Sequence, residues 1–289
     1  MEAQKDLRGR FVSKAVRNVQ RGYMDDDKSR GLFRPEVKLD IQRSRLMTES
    51  FKETDGQAMV LRRAKALAHV LRNMGIFIRD WERIVGYQTS EPEGIYHPID
   101  MNWKSVRRLV SSEGGKTLLD DAGRKELEEI CEYWKGKCMS DRQQEAFTGD
   151  LGKYWQYEGT FLWTHWSELG IPDYENLLQE GLATRIERAK ARLAEIDETI
   201  PSDYIDQKEF LQSVIIVLQA VIDFSHRYAA LAEERAQSEK DPERRKNLEE
   251  IARTCQWIPA HPLRSFIEAV QFFYFIHLPV FNCVCTQVI

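Results

Sequence analysis

The stretch from Phe266 to Phe281 constrains this chain most, because it is a nearly continuous apolar run interrupted by Glu268, Gln271 and His277. Those interruptions leave it short of the roughly 18 uncharged apolar residues that a membrane span needs. A helix apolar almost all round must instead be enclosed by protein, since exposed it would be an aggregation liability. Pro262 suits the first turn of this helix. Leu263, Phe266, Ile267, Val270, Phe273 and Tyr274 then fall on one face, with Phe272, Phe275 and Ile276 on others.

Around this element the sequence predicts more helices. Asp206 to about Ala236 carries Leu211, Val214, Ile215, Leu218, Val221, Ile222 and Tyr228 at helical spacing and is the longest. Glu175 to Asp197 follows Pro172-Asp173 and aligns Leu178, Leu182, Ile186, Ala189, Leu193 and Ile196. Gln57 to Met74 places Val60, Ala64, Leu67, Ala68 and Leu71 inward, with Gly75 suited to a left-handed cap. Asp40 can cap a preceding helix that runs through Glu53, and Asp55-Gly56 turns between the two. Lys125 to Tyr133 is helical up to Gly136, Pro242 starts a helix after a polar connection, and Leu248 to Cys255 is a short one. Ile76-Phe77-Ile78 and Ile84-Val85 have strand composition, and a long loop with Pro92, Gly94 and Pro98 follows. The fold class is mainly α with a few short strands. Residues 1–36, charged and aperiodic, read as an arm or loop before a unit over 37–289.

With 42 Lys+Arg against 46 Asp+Glu the net charge is −4 and the signs are interleaved, so no basic stripe offers itself to nucleic acid. The five cysteines lack regular spacing and the N-terminus has no apolar signal core, which together predict a cytoplasmic, reducing location. Cys283 and Cys285 could pair on a soft cation, but the four-ligand spacing of a structural zinc site is missing, so no metal is expected. No nucleophile elbow, P-loop or Gly-x-Gly-x-x-Gly occurs. What stands out is an aromatic segment: Tyr154, Trp155, Tyr157, Phe161, Trp163 and Trp166, with His165 among them and Glu158 and Glu168 flanking. It reads either as a core wall or as a substrate cavity in which Tyr157, Trp163, His165 and Trp166 are the binding residues.

Six segments together resemble the N-terminal part of the glycyl radical enzymes, the pyruvate formate-lyase-like family. They are Arg45-Leu-Met-Thr-Glu-Ser-Phe-Lys-Glu-Thr54, Arg62-Arg-Ala-Lys-Ala-Leu67, Glu82-Arg-Ile-Val-Gly86 with Thr89, Glu132-Tyr-Trp-Lys-Gly-Lys137, Pro172-Asp-Tyr-Glu175 and Leu263-Arg-Ser-Phe-Ile-Glu-Ala-Val-Gln271. The resemblance implies the largely helical N-terminal part of an α/β barrel. It also implies anaerobic lyase chemistry that cleaves C–C or C–heteroatom bonds of a small-molecule substrate. The family's glycyl radical is installed by a separate activating enzyme that uses S-adenosylmethionine and an iron–sulfur cluster, and a homodimer is expected at full length. The family's thiyl cysteine sits in Gly-Cys-x-Glu and its radical glycine in Arg-Val-Ser/Ala-Gly-Tyr/Phe. None of the sixteen glycines and neither Cys283 nor Cys285 has that setting, so no catalytic residue is assigned, and the chain reads as stopping before the catalytic half. The aromatic segment inclines the reading toward an arylacetate decarboxylase. A diol, polyol or amine-type lyase and a catalytically inert helical scaffold are the alternatives.

Overall fold

A computed structural model describes residues 38–92, 94–110, 119–146, 172–196 and 201–282. In order these form β1 (Lys38–Leu39), α1 (Gln42–Glu53), α2 (Met59–Asn73), β2 (Gly94–Ile95), α3 (Trp103–Leu109), α4 (Asp121–Trp134), α5 (Met139–Ala146), α6 (Tyr174–Ala194), α7 (Pro201–Ser238), α8 (Pro242–Trp257) and α9 (Phe266–Asn282). The mainly helical class read from the sequence is what the described residues show. The expected arm over residues 1–36 lies outside them.

The axis is α7, whose Val217, Ala220, Val221, Phe224 and Ala232 are all but fully enclosed by α2, α6 and α8. By length and composition alone Tyr204–Ser238 could cross a membrane, yet in this fold it is the helix against which the others pack. α2 answers with Ala64, Ala66, Leu67 and Val70, each fully buried. On its outer side α2 carries α1, and Trp134 of α4 fastens α4 to α1 by donating its indole N–H to Thr48 Oγ1 (2.9 Å) while packing on Phe51.

Four helix starts carry an aspartate that accepts a nearby backbone N–H. Asp40 Oδ1 accepts the Gln42 N–H at 3.0 Å, and Asp120, Asp173 and Asp241 cap α4, α6 and α8. Since Asp241 accepts the Glu243 N–H at 3.0 Å ahead of Pro242, Asp241→Ala is expected to cost about 1 kcal/mol, read as a lower urea midpoint at unchanged slope.

The stretches of strand composition, Ile76–Ile78 and Ile84–Val85, read as at most one short strand or extended segment, pair with no strand among the described residues. The two-stranded parallel sheet instead joins Lys38 to Gly94 and Leu39 to Ile95, inside what reads as loop. The reason lies in who satisfies the backbone of 74–86. Arg227 donates to the carbonyls of Leu71 and Met74, Arg235 to that of Ile78, and Arg244 to those of Arg79 and Glu82, the last two bonds at 2.7 Å. Gln271 completes the strap by accepting the Val85 N–H (2.7 Å) and donating to the Val85 carbonyl (2.6 Å). Side chains thus occupy the positions a neighbouring strand would take.

Four further expectations are corrected. Gly75 is not a left-handed cap. Its N–H bonds Gln42 Oε1 at 2.6 Å, and a Cβ there would lie 3.0 Å from Ser90 Cβ, so close approach explains the glycine. Pro262 does not open the last helix, which starts at Phe266. Pro242 and the Leu248–Cys255 stretch belong to one helix, α8. The inner face of α9 is Glu268, Gln271, Phe272, Phe275, Ile276 and Leu278, whereas Phe266 and Phe273 are 84% and 45% exposed. Each inward polar group on α9 has a dedicated partner, Arg264 for Glu268 and the Val85 backbone for Gln271.

The sequence periodicity across Glu175–Asp197 also hides a break. Gly181 has φ 75° and ψ 165°, and α6 changes direction there. The Leu182 and Ala183 N–H groups leave the helical ladder and donate to the Pro259 and Ala260 carbonyls at 2.9 and 3.0 Å, which fastens α6 to the segment leading from α8 into α9.

Candidate functional site

The substrate-cavity residues read from the sequence, Tyr157, Trp163, His165 and Trp166, lie outside the described residues, as do Cys283 and Cys285. What the structure does present is the scaffold on either side of that segment and two buried polar clusters within it.

The first cluster surrounds Asp100, in the turn that follows β2. Its side chain is partly buried, one oxygen (Oδ1) is shut from solvent without a hydrogen-bond partner, and burial raises its pKa against the opposing pull of Arg63 and Arg43. Arg43 is itself buried and lies 4.6 Å over the Tyr96 ring. These four residues come from α1, α2 and the loop after β2, so folding of three separate segments is needed to assemble the cluster. A folded-state pKa above the unfolded one means that this carboxyl favours folding at acid pH and that the contribution is lost as pH rises through the folded value. Asp100→Asn should therefore raise Tm relative to the parent at about pH 8 but not at about pH 4. A larger benefit at the acid end would contradict this placement of the charge.

The second cluster sits beneath the 74–86 strap. Glu82 accepts the Arg79 N–H at 2.8 Å, and burial raises its carboxyl despite that bond and the nearby Arg79, Arg244 and Arg235 guanidinium groups. Tyr228 is enclosed beside it, edge-on to Phe224 at 5.1 Å, and its hydroxyl has no partner. Burial pushes that phenol far above its ordinary range, with the Glu82 charge acting in the same direction. A phenol so placed keeps its proton and does not serve as a base near neutral pH.

The described thiols are similarly inert. Burial pushes Cys131 up to about 11 and Cys255 up to about 12, and raises Cys138 as well. Cys138 donates to Asp141 Oδ2 at 2.9 Å, beside the Trp103 indole and the Gly136 N–H on the same oxygen. For Asp141 burial would raise the pKa, but these hydrogen bonds outweigh it and hold the carboxylate ionised. The arrangement pins the α3–α5 corner and leaves no reactive thiolate. Among the described residues no group of three or more His, Cys, Asp or Glu side chains could hold a metal ion. The described cysteines are closed in the core, and Gly181 and Gly75 serve the backbone contacts given above.

Clefts open on the surface of the described residues. One, of about 730 Å³, lies between α7 and α8 over an alanine floor, with Trp257 and Arg264 at one end. There the Trp257 ring meets the Arg264 guanidinium at 4.2 Å and the His261 ring at 4.4 Å. Another, of about 680 Å³, runs between β1 and the start of α4 and mixes Lys38 and Arg45 with Asp40, Glu91 and Glu126.

Comparison with known proteins places this scaffold. The family model described as pyruvate formate lyase-like matches residues 13–284. An isethionate sulfite-lyase of Nitratidesulfovibrio vulgaris is 32% identical over 258 residues, covering 81% of this chain and 30% of that protein. A solved structure on 1,2-propanediol dehydration in Roseburia inulinivorans superposes with a TM-score of 0.76 at 30% identity, over 84% of this chain and 31% of the other. The glycerol-bound form of the B12-independent glycerol dehydratase from Clostridium butyricum gives 0.73 at 33%, over 85% and 32%. An indoleacetate decarboxylase of Tractidigestivibacter scatoligenes is 23% identical over 299 residues, covering 90% of this chain and 34% of that protein. The chain thus spans about a third of the length of the relatives it matches.

Proposed function

The chain belongs to the pyruvate formate lyase-like family of glycyl radical enzymes, and from that membership we propose that it is the N-terminal helical region, residues 37–289, of a lyase for a small hydroxylated substrate. The observation that carries this reading is what the more similar relatives act on by name. Isethionate, 1,2-propanediol and glycerol are small molecules with a hydroxyl on the carbon next to the one that loses its group, and the departing group is sulfite or water. The decarboxylase of an aryl acid is the more distant match, at 23% identity. The dehydratase-type alternative is thereby better supported than the arylacetate reading drawn from aromatic composition.

In this reading the glycyl radical, when installed, would supply hydrogen-atom abstraction from the substrate by way of the family's thiyl cysteine. This chain's own contribution is to build the wall. α6 begins at Tyr174, the Gly181 junction ties it to the segment between α8 and α9, and the strap is clamped by side chains of α7, α8 and α9. Tyr157, Trp163, His165 and Trp166 are proposed to line the substrate cavity, with His165 as the polar handle on a hydroxyl or sulfonate. A radical-activating enzyme, a homodimeric assembly and an anaerobic cytoplasm belong to the same proposal.

Thermal stabilisation of the unactivated protein by candidate ligands tests the substrate class. Glycerol, propane-1,2-diol or isethionate should raise Tm more than phenylacetate or indoleacetate, and His165→Gln should reduce that shift without lowering the ligand-free Tm. Preferential stabilisation by the aryl acids would overturn the reading.

A further inference from the structure

No further inference is drawn: the strongest candidate, the cleft of about 730 Å³ between α7 and α8 floored by Ala229, Ala236 and Ala252 and walled by Arg245, Glu249 and Arg253, carries nothing because nothing in the structure shows what covers it.

Discussion

Replacing Gly181 by alanine is expected to cost about 3–5 kcal/mol of folding stability, combining backbone strain with an overpacked contact. Its φ of 75° with ψ of 165° lies in a region that only glycine occupies without strain. A Cβ there would stand 2.4 Å from the Ala260 carbonyl oxygen and 2.6 Å from the His261 carbonyl carbon, both backbone atoms that cannot swing aside. Relieving the clash would pull α6 away from the segment before α9 and break the Leu182 and Ala183 bonds to Pro259 and Ala260. Gly136 supplies the control, with φ 70° and nothing within 4 Å of an added Cβ. Gly136→Ala should cost only about 1 kcal/mol. Urea unfolding of the two variants side by side reads the difference, and equal losses would mean that the Gly181 junction is not packed as described.

Gln271→Leu should be the next most damaging change, at about 2–5 kcal/mol. Gln271 is 1% exposed and serves both backbone groups of Val85, itself fully buried. Leucine matches the volume but leaves a buried N–H and a buried carbonyl without partners, each worth about 1–3 kcal/mol. Phe273→Leu, two residues along the same helix but 45% exposed, should change stability by no more than about 0.5 kcal/mol. If Phe273→Leu were the costlier of the pair, α9 would be facing the other way.

That pair of variants also marks where sequence reasoning runs out. On amphipathic helices such as α2 or α4 the apolar stripe identifies the inner face, and Leu67, Leu127 and Ile130 are buried as the periodicity requires. On α9 apolar residues lie all round, so period carries little information and the face is chosen by the polar residues instead. Glu268 and Gln271, spaced three apart on an apolar helix, were the available signal that polar groups point inward to serve partners. What those partners are was not legible, because Val85 is 186 residues away in the chain. The same distance problem explains the strap. β-type composition at 76–78 and 84–85 marks non-helical backbone that joins no sheet among the described residues, and nothing local ties the carbonyls of this stretch to Arg227, 156 residues beyond Leu71. At Gly181 the apolar period runs on across the break, since the obstacle is the backbone of Ala260 and not a neighbour in sequence.

The family was legible because six short segments occur in order between residues 45 and 271, and the match over 13–284 contains all of them. The substrate class was harder to read. Aromatic density between Tyr154 and Trp166 reports apolar surface without saying whether it faces a ligand or a helix. Leaving-group chemistry depends on a few placed polar atoms, and these do not stand out from composition.

The most direct measurement is turnover by the protein as the cell makes it, activated without oxygen by a radical-installing S-adenosylmethionine enzyme and offered isethionate, propane-1,2-diol, glycerol and indoleacetate in competition. The account predicts a glycine-centred radical signal and release of sulfite or loss of water from a hydroxylated substrate, with indoleacetate left intact. Carbon dioxide release from indoleacetate, with the hydroxylated compounds unchanged, would contradict it.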